Sequence, residues 1–528
     1  MTNVSEVAPS ATRDTADLDS SRHSYAQIVK SSSIRGGSQA IILLISVVQT
    51  KFAAVYLGPL GVGLLGTYGS LMSLVGTIAG LGIGSSGVRE VAAAIGSQDN
   101  ERIGRTILAL RRVCWITGLA GAVGVMILSQ PLSLLTFGST DHAWALAVLG
   151  ICILLQNITS AQLAFLQGKR LIAEMALRNI LGASAGAIIG IGYYANLGVN
   201  GIVPAMVTMA VTNLIFALGF ARRFAVPKVN VSWWESLTQS GGLIRLGIAF
   251  AWVALVTNFV AYGTRLLIGQ KIGLEAVGVF QSSFALSGQF AQFILGAMAF
   301  DYFPRLAEAS TDHKRMNQLV NEQTEVGLVI ALPGLVATMA FAPLIIQVFY
   351  SAKFAQSADL LPWFVLGCLG RVISWPIGFI IPAIGKAILA SWIETVFGIL
   401  HLVSIWLGLR YFGLFGVAVA FVFVYVTYII VMAIVGWKLT GFRWTPVVLK
   451  LMTVVGVYAG GAFLSRKLLP EPYAVSVGLV IIVLSSLFSL RELTRRLGPK
   501  HRISKWVLRI PLLRKAVPNI CTPTSHNV

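Results

Sequence analysis

The sequence is short of charge, and shortest of acid. Only 11% of its 528 residues are Asp, Glu, Lys or Arg, and Asp and Glu together number 20. Soluble domains carry roughly 25% charged residues, so a string of soluble domains is excluded. No G-x-x-x-x-G-K-[ST] stretch occurs, which removes the phosphate cradle of an ATPase. The 6 histidines never reach H-E-x-x-H spacing. The 4 cysteines (Cys114, Cys152, Cys368 and Cys521) form no C-x-x-C pair, so no metal and no cofactor is expected. The N-terminus lacks the basic and apolar blocks of a cleaved signal peptide. Two G-x-G-x-x-G matches, Gly61/Gly63/Gly66 and Gly82/Gly84/Gly87, follow no strand, so the dinucleotide reading fails on context. These glycines are expected instead where helices pack closely or bend, as is the small face Gly182/Gly186/Gly190.

What the chain has is apolar length. It is 56% hydrophobic, in long runs without period-2 alternation, and a membrane-crossing helix needs about 20 such residues. The fold class is an all-α polytopic membrane protein with fourteen crossings. The first half gives 36–57, 64–84, 113–136, 143–166, 179–197 and 202–221. The second gives 246–269, 277–300, 326–350, 360–384, 387–409 and 413–436, and two more follow at 450–468 and 474–490. A net charge of +20 then means cytoplasmic loops rather than nucleic acid. With the N-terminus inside, the outer loops hold only Lys271, Lys353, Arg410, Arg466 and Lys467. Lys51, Arg265 and Arg371 lie within spans, and every other Lys and Arg of the 40 falls inside. Both termini are therefore expected in the cytoplasm.

The chain also repeats itself at about 215 residues. Lys51 maps onto Arg265, Gly63 onto Gly278 and Arg89 onto Arg305. Gly168–Lys169 falls over Gly385–Lys386, and Gly198 and Gly201 over Gly413 and Gly416. Both copies hold six spans in the same sense, so the halves are expected as parallel lobes with a substrate site between them. The layout is a disordered cytoplasmic 1–34, an N-lobe at 35–221, a cytoplasmic linker at 222–245 and a C-lobe at 246–437. Two extra helices occupy 438–490, and 491–528 forms a basic amphipathic cytoplasmic tail on the inner leaflet.

The intramembrane ions carry the chemistry. Lys51 and Arg265 occupy the same place in each lobe and either line a cleft or snorkel to the headgroups. Arg371 lies too deep in its span to snorkel. It either contacts substrate or locks helices through Glu394. Glu394 and His401, seven residues apart on one helix face, are candidates for ion coupling. Gln49, Asn157, Asn258, Gln289 and Gln292 are candidate cavity amides or helix–helix ties. Arg89 and Arg305 close the inner ends of the second and eighth spans, as a cytoplasmic gate or as ordinary positive-inside residues.

The run KFAAVYLGPLGVGLLG, an apolar span and then GVREVA, with FDYFPRLAEA at the matching point of the second copy, resembles the multidrug/oligosaccharidyl-lipid/polysaccharide (MOP) exporter superfamily, in its O-antigen and polysaccharide flippase branch. The resemblance covers roughly 25–490. It implies a transporter rather than an enzyme. Such a protein moves an undecaprenyl-diphosphate-linked oligosaccharide from the inner to the outer leaflet of the bacterial cytoplasmic (inner) membrane by alternating access. O-antigen, capsule and exopolysaccharide repeat units are the substrates it implies. The bilayer and the polysaccharide polymerase and chain-length machinery are the partners it implies. Lys51 and Arg265 would then attract the diphosphate. Two alternatives stand beside it. A cation-coupled multidrug exporter wants carboxylates in the first lobe, where the spans have none. A membrane polymerase or ligase wants a large outer loop, and the outer loops are short.

Overall fold

The computed structural model describes residues 11–239 and 241–497. Within them the chain is helical with short connections and no strand. The N-lobe comprises α1 (Ala11–Gly80), α2 (Ile83–Gly96), α3 (Asn100–Ile127), α4 (Ser129–Phe137), α5 (Ala143–Gly168), α6 (Ile172–Leu197) and α7 (Ile202–Ala221). A short α8 (Trp233–Gln239) lies in the linker. The C-lobe comprises α9 (Gly241–Lys271), α10 (Leu274–Glu308), α11 (His313–Ala340), α12 (Ala342–Phe349), α13 (Ser357–Gly378), α14 (Ile380–Ala383) and α15 (Ala387–Thr440). Helices α16 (Pro446–Leu468) and α17 (Glu471–Leu497) follow and pack on α11.

Ten helical segments among the described residues are long and apolar enough to cross a membrane. Three of them are double. The segment Gly37–Gly80 would extend about 66 Å as one helix, twice a hydrocarbon core of about 30 Å. It breaks at Gly58 (φ 64°, ψ −172°). The segment Ala387–Thr440 breaks at Gly413 (φ 58°, ψ −144°), and Ile172–Ala221 breaks at Gly198 (φ 55°, ψ −132°). The last two breaks are reversals. A Cβ added at Gly416 would meet the Gly408 carbonyl, and one added at Gly201 would meet the Tyr193 carbonyl. Residues eight apart lie about 12 Å apart along a helix and touch only if the chain folds back. Only glycine adopts these backbone angles without strain. With its three double segments split and the 35-residue α10 added, the described residues hold fourteen helices of crossing length, in line with the number expected.

Two expected crossings are displaced. Those placed at 113–136 and 326–350 are α3 followed by α4, and α11 followed by α12. The long helices start earlier because Asp99 and Asp312 cap charged first turns, accepting from the backbone N–H groups of Arg102 and Arg315. They stop earlier because Pro131 and Pro343 fall in the first turn of the next helix. There a proline ring clashes with the carbonyl four residues back. An apolar window runs across the break unaware of it.

At the chain ends, α1 is helical from Ala11, ahead of the onset expected near 36, and no Gly or Pro interrupts 11–35. The expected basic tail lies outside the described residues beyond Leu497. The linker folds back onto α3. Arg112 donates to the Val231 and Ser232 carbonyls at 2.9 Å each and stacks on Trp233 at 4.7 Å.

The hydrophobic cores show how the lobes meet. One core joins Ile83, Ile107, Leu110 and Phe165 within the N-lobe, and another joins Tyr302, Leu306, Met316 and Met432 within the C-lobe. Both sit at the end that the charge bias assigns to the cytoplasm. At the opposite end the cores cross the boundary. Tyr262 of α9 is buried among N-lobe residues, and Ala54 and Val62 of α1 among C-lobe residues. The lobes thus share cores at the outer end; at the inner end the cores among the described residues stay within each lobe, and the backbones of Gly82 and Gly247 touch across the boundary.

Candidate functional site

Between the lobes lies a cavity of about 580 Å³, walled mainly by the first two crossings of each half, with Tyr194 of α6 and Phe349 of α12 also in its wall. Its position follows from the repeat. Gly63 and Gly278, equivalent residues of the two copies, meet back to back at the outer end. A Cβ on Gly63 would strike the Leu274 carbonyl, and one on Gly278 the Pro59 carbonyl. Equivalent residues can face each other only at the axis that relates the copies, so this contact marks the axis and the cavity lies just inside it.

The charge in the cavity wall is Arg265. Its Nη1 donates to the Ala261 carbonyl at 2.7 Å, and its Nε donates to Gln281 Oε1 at 3.1 Å. Its Nη2 reaches the same Gln281 oxygen, and the guanidinium sits 5.8 Å from the centre of the Phe280 ring. Gln281 was not singled out from the sequence, although the repeat marks its position. It falls over Gly66, and the structure sets the two face to face, a Cβ on Gly66 lying 3.3 Å from Gln281 Oε1. A glycine in one copy makes room for an amide in the other. The rest of the polar lining is neutral: Ser46, Gln49, Thr50, Ser70, Ser73, Asn258 and Gln289. Among the described residues no lining residue is a carboxylate. Asn258 also crosses between lobes, donating to Thr77 Oγ1 at 2.9 Å.

The other sequence candidates lie elsewhere. Lys51 is next to the lining residues Thr50 and Ala53 but is not itself one of them; its Nζ donates to the Gln347 carbonyl of α12 at 2.8 Å. Asn157 bonds within α5, to the Ile153 carbonyl at 3.1 Å, and Gln292 does not line the cavity. Arg371 and Glu394 lie near each other inside the C-lobe, with His401 two turns along α15 from Glu394. Glu394 accepts from the Tyr428 hydroxyl at 3.0 Å and lies within electrostatic reach of Arg371 without a direct ion pair. His401 faces Phe421, with ring centres 5.9 Å apart. Arg89 and Arg305 are exposed, and Arg305 pairs with Asp301 at 3.0 Å. Among the described residues no interaction joins these two arginines. An ion cluster that sequence reading passed over is Arg496 with Glu325 at 3.0 Å and with Glu492, which ties α17 to α11. Among the described residues no group of His, Cys, Asp and Glu has the arrangement of a metal site.

Chemically, the cavity offers one delocalised cation among amides and hydroxyls. A guanidinium holds a phosphate through two parallel N–H···O bonds. Neutral amides and hydroxyls are matched to sugar hydroxyls. A cavity of this size takes a small molecule, and anything larger enters only as the lobes part.

Comparison with known proteins agrees with this architecture. A family profile described as polysaccharide biosynthesis protein matches residues 63–359. The chain is 26% identical to the lipid III flippase of Escherichia coli (strain K12) over 394 residues, 72% of this chain and 90% of that one. Its fold is similar to that of the lipid II flippase MurJ in an inward closed conformation, with TM-score 0.65 and 13% identity over 89% of this chain and 99% of that one. It is also similar to an inward-facing multidrug resistance MATE family transporter of the MOP superfamily, with TM-score 0.61 and 18% identity over 78% and 96% of the two chains.

Proposed function

We propose, from the premise that this chain belongs to the polysaccharide biosynthesis protein family, within the polysaccharide transporter branch of the MOP superfamily, that it flips a polyprenyl-diphosphate-linked oligosaccharide across the cytoplasmic membrane. The observation that carries the proposal is the cavity between repeat-related lobes, with Arg265 as its cation and no carboxylate in its wall. Arg265 meets the diphosphate, exchanging Gln281 for phosphate oxygens, while the amides and hydroxyls meet the glycan. Lys51 joins it when the lobes part and its bond to Gln347 is released. Arg371 and Glu394 sit beside this path in the C-lobe as a substrate-contact and ion-coupling pair, with His401 on the same face. Arg89 and Arg305 form the cytoplasmic rim. The lipid-linked product is handed to polymerase and chain-length machinery on the far side. A cationic drug would find no counter-charge in this cavity, which disfavours drug export.

The test is Arg265→Ala in cells, with membrane levels of the variant matched to the parent. The proposal expects lipid-linked precursor to accumulate on the inner leaflet and finished surface polymer to fall at least about tenfold, the worth of one charge-assisted contact of about 1.4 kcal/mol. Normal polymer output from a fully inserted variant would remove the anion-binding role and return weight to drug export.

A further inference from the structure

The two short helices α4 and α12 occupy the same place in each repeat, and each ends against the opposite lobe. Each begins with a proline in its first turn, Pro131 and Pro343. Near the end of each, a local N–H caps one carbonyl: Gly138 N–H to Leu134 at 3.0 Å, and Tyr350 N–H to Ile346 at 2.8 Å. The next carbonyl in each helix is among the terminal ones that lack an intrahelical donor. In both helices it is filled from the other lobe. Gln270 of α9 donates its Nε2 to the Leu135 carbonyl at 2.5 Å, and Lys51 of α1 donates its Nζ to the Gln347 carbonyl at 2.8 Å. The donors lie on the first crossing of each lobe. The acceptors lie two residues before the ends of α4 and α12. The N-lobe helix has a second tie, a 2.6 Å bond between Thr136 Oγ1 and the Tyr262 hydroxyl, with both residues buried.

We infer that α4 and α12 form a reciprocal clasp that holds the outer mouth shut, with Gln270 and Lys51 as its two hooks. The geometry has three properties that incidental packing does not require. The acceptors are equivalent in the repeat and the donors stand on equivalent helices, the contacts are made across the lobe boundary, and they use helix-end carbonyls that carry partial negative charge. A cation and an amide donor both suit such an acceptor, so Lys51 and Gln270 serve one role from different positions on the equivalent helices. Opening the outer mouth breaks both hooks together, because each spans the boundary along which the lobes move. The inference rests on two lobes alternating about a cavity and not on the identity of the cargo.

The experiment places one reporter cysteine in the cavity wall, Ser73→Cys, in the full chain with Cys521→Ser. Its labelling by a membrane-impermeant maleimide is timed in right-side-out and in inverted vesicles. Adding Lys51→Ala, Gln270→Ala or both should speed labelling from the outer face about two- to tenfold per contact removed, the range set by one net hydrogen bond. Labelling from the inner face should slow in return, because the outward-open state gains at the expense of the inward one. Lys51→Arg, which keeps a donor, should label at the parental rate. Unchanged labelling in the double variant overturns the clasp. Faster labelling from both faces also overturns it, since that is the mark of a loosened fold. No oligosaccharide enters the assay, so its outcome is separate from that of the transport test.

Discussion

At the residue scale, the behaviour of the cavity depends on how Arg265 is held. Its three donating nitrogens are committed to Ala261 and Gln281, which fixes the guanidinium against the wall while no anion is present. A lysine has a point charge rather than a planar fork, so Arg265→Lys should keep the field but lose the paired geometry, with transport between that of the parent and of the alanine variant. His142 offers a pH readout outside the spans. It stands just before α5, shares a hydrogen bond of 2.7 Å with the Tyr68 hydroxyl and lies tilted against Phe137 with ring centres 4.1 Å apart. Burial pushes its pKa below the ordinary 6.5, with Asp141 pulling the other way. The fold therefore prefers the neutral ring. This contribution to stability is whole above the ordinary value and is lost as pH falls through the lowered one. Thermal unfolding in detergent should show the midpoint falling between pH 7.5 and pH 5, and His142→Gln should shrink that fall. An equal fall in the variant would show that His142 does not contribute.

At the element scale, the hairpin of the eleventh and twelfth crossings shows what glycine contributes. Gly413 turns the chain, and Gly408 and Gly416 then let two backbones touch. The same hairpin brings Glu394 to Tyr428 and His401 to Phe421, seven residues along each helix, as antiparallel packing requires. Gly408→Val should force these helices apart and lower stability by about 1–3 kcal/mol, read as a lower unfolding midpoint; an unchanged midpoint would mean that the contact is loose. Much of this was legible beforehand. The matched glycines at 198/413 and 201/416 marked both turns, and the apolar runs marked fourteen crossings. Hydropathy could not mark where α3 gives way to α4, or α11 to α12, because both sides of each break are apolar. The signal was there in Pro131 and Pro343, which recur at nearly the repeat distance. Gln281 was hidden for a different reason. An amide in a span reads as a helix tie until its partner, Arg265, is placed one helix away.

At the scale of the whole molecule, the repeat explains both the seal and the opening. Equivalent glycines meet on the axis at Gly63 and Gly278, outer cores run across the boundary, and inner cores stay within each lobe. This is the arrangement of two lobes held together at the outer end, with Gly82 and Gly247 in contact at the other. A protein that only anchored a partner would have no use for a cation in a cavity between two lobes. The most direct measurement uses purified protein in liposomes loaded with a fluorescent polyprenyl-diphosphate oligosaccharide in both leaflets. An impermeant reductant bleaches the outer leaflet, and the loss of the protected inner signal reports flipping. The account predicts loss of the inner signal with the parent protein and retention with Arg265→Ala at equal reconstitution. Retention of the inner signal with the parent protein, or equal loss in both, would contradict it.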